Sequence, residues 1–189
     1  MKKFKIALLI VVAAVMVLPS CKKGADDPFI SLRSRTARLT GEWTISSGTV
    51  TNMNGSNSYT ANYTSSNCTY SVSGNSTTIM YTQKITIEKD GTYKVEENFD
   101  GDFSTEEGAW YFGGKSNELE LKAGQSIVFL PTKRTSGSDL YTYSGANVPS
   151  YTWIIDQLKN KEIVINLNGT SMSSGTISTT SGTMTYEQK

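Results

Sequence analysis

From Gly41 onward, apolar and polar residues alternate with a period of two over most of the chain. Ile85 and Ile87 stand against Thr86 and Glu88. Tyr93, Val95 and Phe99 alternate with Thr92, Lys94, Glu96 and Asn98, and Leu119 and Leu121 lie between Glu118, Glu120 and Lys122. Ile163, Ile165 and Leu167 continue the pattern near the end. Successive strand residues point to opposite faces, so these runs predict strands with one dry and one wet side. Strands are expected near 41–52, 58–64, 68–73, 77–89, 92–99, 104–113, 117–122, 126–131, 150–157, 161–168 and 175–187. Asp90-Gly91, between two such runs, predicts a hairpin with a type I′ turn. Asp100-Gly101-Asp102 and Gly113-Gly114-Lys115-Ser116-Asn117 mark further turns. Thr132 to Pro149, rich in Ser, Gly and Tyr, is expected to be a long exposed loop. Many short antiparallel strands with turn signals between them imply a sandwich or a closed barrel.

Two segments before Gly41 depart from this period. Ile6 to Leu18 is unbroken apolar sequence behind Lys2, Lys3 and Lys5. Its length as a helix, roughly 20 Å, falls short of the roughly 30 Å of a bilayer core. It is therefore expected to be a signal-peptide core, and residues 1–20 a signal peptide. Leu18-Pro19-Ser20-Cys21 resembles a lipobox, whose cysteine receives lipid and becomes the new N-terminus. Cys21 is thus the expected lipidation site, with residues 21–28 as a polar tether and 29–189 as the domain. Lysines followed by Asp26 and Asp27 also loosely resemble a surface-export signal of Bacteroidetes lipoproteins. In the second segment, Phe29, Leu32 and Leu39 with Arg33, Arg35 and Arg38 predict a short amphipathic helix. That helix is expected to plug the barrel with its apolar side and keep its arginines in water.

Composition narrows the chemistry. The chain has no histidine, which removes Ser-His-Asp and Cys-His nucleophile activation, two-His zinc sites and imidazole proton shuttles. After the three signal lysines are removed, 15 basic side chains face 17 acidic ones. No basic stripe remains for nucleic acid. Cys68 has no intramolecular partner once Cys21 is lipidated, and is expected to be a half-buried small residue rather than a reactive thiol.

The acidic pairs Glu96/Glu97 and Glu106/Glu107 straddle their strands, so neither pair can put both carboxyls into one site. Asp100 and Asp102 flank a turn glycine in water. No catalytic residue, metal site or cofactor is expected. Neither a phosphate-cradling glycine loop, Cys-x-x-Cys nor Gly-x-Ser-x-Gly occurs.

Leu39-Thr40-Gly41-Glu42-Trp43-Thr44-Ile45 resembles the opening of lipocalins, where Gly-x-Trp begins the first strand after a short helix. The hairpin at Asp90-Gly91, then Gly108-Ala109-Trp110, Trp153-Ile154-Ile155 and Lys161-Glu162-Ile163 follow in an order similar to the lipocalin-like domain of Bacteroidetes lipoproteins. The resemblance covers most of 39–168. It implies an all-β, antiparallel up-and-down barrel with a short N-terminal helix. Gly41, Trp43 and Arg38 would seal one end, Arg38 stacking on Trp43. Tyr141, Tyr143, Tyr151 and Trp153 would rim the other, open end. The implied protein is an outer-membrane lipoprotein, held by its lipid, whose barrel takes a small apolar or amphipathic ligand. The alternative is a structural or protein-interaction lipoprotein with a filled interior. A cavity of about 300 Å³ or more distinguishes the first from the second.

Overall fold

A computed structural model describes residues 33–55, 57–145, 148–173 and 176–188. Cys21, the signal peptide, the tether and the first part of the expected helix lie outside the described residues. The fold is all-β and antiparallel, an up-and-down barrel with one short helix among the described residues. The helix, α1, spans Arg35–Leu39. Eleven strands follow: β1 Gly41–Asn54, β2 Asn57–Thr64, β3 Asn67–Val72, β4 Asn75–Ile87, β5 Thr92–Phe99 and β6 Asp102–Phe112, then β7 Ser126–Ser136, β8 Asp139–Thr142, β9 Tyr151–Leu158, β10 Glu162–Ser173 and β11 Thr176–Gln188. Neighbours in sequence are neighbours in the sheet except that β9 pairs with β7 rather than with β8, and the β1–β11 and β6–β7 pairings close a ring of ten strands, with β8 attached outside it on β7.

The ring is not the same size at both ends. At the helix end Gly41–Thr44 of β1 pairs directly with Lys84–Ile87 of β4. Further up, β1 pairs with β2 from Ser47 onward, and β3 pairs with β4 from Met80 back to Asn75. The β2–β3 hairpin is thus wedged into the wall only in the upper half, so eight strands close the helix end and ten the other. Barrel diameter grows with strand number, and the molecule widens away from α1. A bulge after Ile45 lets β1 follow the change. The wall also thins near the wide end, because β9 bridges β7 to β10 only as far as Phe129 and Asn166.

The narrow end is filled. Leu39, Ile87, Ile127, Leu158 and Ile163 are fully buried there. Gly41 has φ +138°, a conformation that favours glycine, and this sets the turn from α1 into β1. Trp43 is buried beneath that turn and its indole Nε1 donates to the Leu39 carbonyl at 2.7 Å.

Four local expectations are corrected. The Asp90-Gly91 hairpin is not a type I′ turn: Gly91 alone has positive φ, 89°, and Gly91 N–H donates to the Glu88 carbonyl. This is a three-residue loop closed by a left-handed glycine, with Asp90 Oδ1 accepting from Thr92 N–H and Oγ1. Residues 117–122 are not a strand. Glu120 adopts φ 55°, a single bridge joins Ser116 to Leu121, and Leu119 is exposed. Thr132 to Pro149 is only partly loop, because β7 runs on to Ser136 and turns at Gly137 into β8. Cys68 is fully buried in the core, not half-buried.

Candidate functional site

Two carboxylates face the inside of the barrel. On β5, Tyr93 and Val95 point inward, and Glu97 is in phase with them. On β6, Glu106 is in phase with Gly108 and the buried Trp110. Val95 pairs with Glu106 and Glu97 with Ser104, so the two glutamates are diagonal neighbours on one face of adjacent strands. Each acidic pair therefore sends one member inward, and the two inward members share a site. The separation of each pair across its own strand holds as expected; the meeting of one from each had no place in that reading.

Side-chain hydrogen bonds surround both groups. Glu106 Oε1 accepts from the hydroxyls of Tyr93 at 2.8 Å and Tyr151 at 2.9 Å. Glu97 Oε2 accepts from the Tyr81 hydroxyl at 2.9 Å and from Gln83 Nε2 at 3.1 Å. The Tyr186 hydroxyl completes the chain by donating to Gln83 Oε1 at 2.7 Å. Burial is the first cause that pushes the hydroxyls of Tyr81, Tyr93, Tyr151 and Tyr186 above the ordinary tyrosine range, and for each the nearby glutamate charge adds to it. They are neutral donors at any physiological pH.

Beneath this polar layer lies an aromatic floor. Tyr93, Phe129 and Trp153 meet edge to face at ring separations of 4.9 Å, and Trp153 stacks on Tyr186 at 5.1 Å. Tyr151 stacks on Phe129 at 5.0 Å. Above the floor, in the wide half, is a cavity of about 380 Å³. Val50, Ile85, Val95, Leu167 and Met184 give it an apolar wall. Gln83, Glu97, Ser104, Glu106 and Arg134 give it a polar one. That volume lies within the range of small-molecule pockets, and a mainly apolar lining with a few convergent polar groups is their common form.

The expected site residues divide between the two ends. Tyr151 and Trp153 line the cavity. Tyr141 does not: it is half exposed on β8, paired in register with Arg134 at the rim. Tyr143 lies just beyond β8, its N–H donating to the Thr132 carbonyl, and it too is absent from the lining. Gly41, Trp43 and Arg38 are at the opposite, narrow end. Arg38 is not in water and does not stack on Trp43. It is buried, and its Nη1 donates to the Leu158 carbonyl of β9. The guanidinium that lies over an aromatic ring is that of Arg35, 6.0 Å from the centre of Phe112.

Sequence reasoning missed Gln83, Glu97, Glu106 and Arg134. The signal for the glutamates was present, since both occupy the apolar phase of their strands. Asp100 and Asp102 are exposed on either side of the turn glycine Gly101, whose N–H donates to Asn98 Oδ1 at 2.9 Å. Cys68 is removed from solvent, and burial pushes its thiol up. Compared with known protein families, with curated proteins and with solved structures, the chain matches none.

Proposed function

We propose that this protein is a lipid-anchored envelope lipoprotein, lipocalin-like in the order of its motifs, that binds a small amphipathic ligand inside its barrel without turning it over. The observation that carries the binding reading is the cavity of about 380 Å³ between an aromatic floor and a tyrosine–glutamate wall. A structural barrel with a filled interior would have no reason to leave that volume in its wide half. The narrow half is packed solid by comparison. Anchoring at Cys21 and an outer-membrane location rest on the signal-like N-terminus alone.

Two features support the reading without turnover. With no histidine in the chain, the carboxylates are the natural acid–base groups of the cavity, and both are engaged by tyrosine hydroxyls. The test uses the full chain purified from membranes. Binding of N-phenyl-1-naphthylamine, followed by its fluorescence, should saturate at one site per chain and should be lost when the cavity is filled. An extract of the purified protein that holds no small molecule, together with no probe binding, would favour the structural alternative.

A further inference from the structure

The hydrogen-bond directions inside the cavity specify what the ligand must bring. Four tyrosine hydroxyls and one N–H of the Gln83 amide spend their protons within the wall. Tyr81 and Gln83 donate to Glu97, Tyr93 and Tyr151 donate to Glu106, and Tyr186 donates to Gln83. What these groups leave toward the cavity is lone pairs, the remaining carboxylate oxygen capacity and the phenolic oxygens, beside the neutral donors of Ser104 and the second Gln83 N–H. The carboxylates also lack a cationic partner. Every ion pair recorded among the described residues lies on the outer surface or at a turn, linking Lys84, Lys94 and Lys159 to Glu42, Glu96 and Glu162. Arg134 is the one cation of the lining. It is exposed at the rim, and although it is registered opposite Glu106 it makes no ion pair with it.

Given the binding reading above, on which this rests, we infer that the ligand is an organic cation: an amine or ammonium compound with an apolar body. Its ammonium hydrogens would be accepted by Glu97 and Glu106. Its body would lie along Val50, Leu167 and Met184, with the faces of Trp153 and the tyrosines available for cation–π contact. An anionic amphiphile would instead face two carboxylates, and its only charged donor would be at the solvent-exposed mouth. A neutral alcohol could donate once and gain no charge assistance.

The experiment displaces N-phenyl-1-naphthylamine from the full chain with octylammonium, octanol and octanoate, which share one apolar body and differ in head group. Octylammonium is expected to compete at a concentration at least about tenfold lower than octanol, with octanoate weakest. In the Glu97→Gln and Glu106→Gln variants that preference should shrink while octanol competes as before. In Arg134→Gln it should persist or grow. Octanol as effective as octylammonium would leave the binding reading intact and overturn this one. Octanoate as the best competitor would also overturn it, and would assign the head-group contact to Arg134. If none of the three competes and the probe itself does not bind, the cavity reading fails as well. Should a glutamate variant fail to fold, the ranking of the three compounds on the parent protein decides alone.

Discussion

The Tyr151 hydroxyl of β9 donates to Glu106 Oε1 of β6 at 2.9 Å, across the intervening strand and 45 residues along the chain. Tyr93 donates to the same oxygen, so one carboxylate ties three strands together from inside. Removing it leaves two hydroxyls in a partly buried wall without their acceptor, at about 1–3 kcal/mol for each group left unpaired. Glu106→Ala should therefore lower the urea midpoint clearly, and Glu106→Gln, which keeps a carbonyl acceptor, by less. Equal and negligible losses in both variants would mean that water replaces the carboxylate without cost.

Alkaline pH should unfold the barrel through its tyrosines. Tyr63 is pushed up to about 12, first by burial and then by its neighbour Cys68. Burial is also the leading cause of the upward shifts at Tyr81, Tyr93, Tyr151 and Tyr186. In the unfolded chain tyrosine ionises near 10. The folded state holds its protons longer, so this stability is complete below about pH 10 and declines as pH rises toward the folded values. The slope is about 1.4 kcal/mol per pH unit for each tyrosine that ionises only on unfolding. Near-ultraviolet tyrosinate absorbance should thus rise in step with the loss of circular dichroism. Complete ionisation near pH 10 in a barrel that stays folded would contradict the burial of these hydroxyls.

The strand pattern was legible because a wall with one wet face writes itself as alternation. Ile85, Ile87, Tyr93, Ile163 and Ile165 are all buried as their phase requires. The inner polar wall was harder to read for the same reason. A charged residue in an apolar phase looks like a break in the pattern, and weighing Glu97 only against its neighbour Glu96 leaves out its diagonal partner Glu106 on the next strand. Leu119 and Leu121 show the converse. They alternate correctly, yet Asn117 to Leu121 is closed locally by turn hydrogen bonds, Glu120 N–H to Asn117 and Ser116 to Leu121. Alternation over so few residues does not outweigh that local closure. The β7–β8 hairpin was hidden by its composition, since Thr135, Ser136 and Ser138 suit a loop as well as an exposed strand. The stacking expected of Arg38 failed for a geometric reason: its guanidinium reaches the Leu158 carbonyl, at the C-terminal end of β9.

Trp43 should be essential to the narrow end. It is 1% exposed and hydrogen-bonded to Leu39, the last residue of α1. Replacing a buried tryptophan with alanine costs about 3–5 kcal/mol. Trp43→Ala should show a loss of that size by denaturant unfolding, and the released Leu39 carbonyl should free α1 from the barrel. A loss under about 0.5 kcal/mol, the range of ordinary surface substitutions, would remove Trp43 from the seal.

Localisation can be separated from folding. Acyl chains contribute about 0.8 kcal/mol per buried methylene, and stable anchoring takes more than one chain. Cys21→Ser is expected to leave the barrel folded and to move it from the membrane fraction to the soluble one. Full retention on salt-washed membranes would dismiss the lipid anchor as the source of attachment.

Filling the cavity should cost binding and little else. Val50 is buried on β1, and its side chain lines the cavity in the wide half. In a close-packed interior a change from valine to phenylalanine forces off-rotamer side chains and costs about 1–3 kcal/mol. Here the added ring has about 380 Å³ of open volume to enter. Val50→Phe should therefore change stability by less than about 1 kcal/mol, because new apolar contacts offset the small rearrangement. The same variant should lose most of its affinity for N-phenyl-1-naphthylamine, since probe and ring compete for one space. The control is Ile127→Phe in the filled narrow end, where Ile127 is fully buried; it should destabilise by the larger amount. Equal destabilisation by both substitutions would mean that the wide half is as tightly packed as the narrow one, and the binding reading would lose its ground.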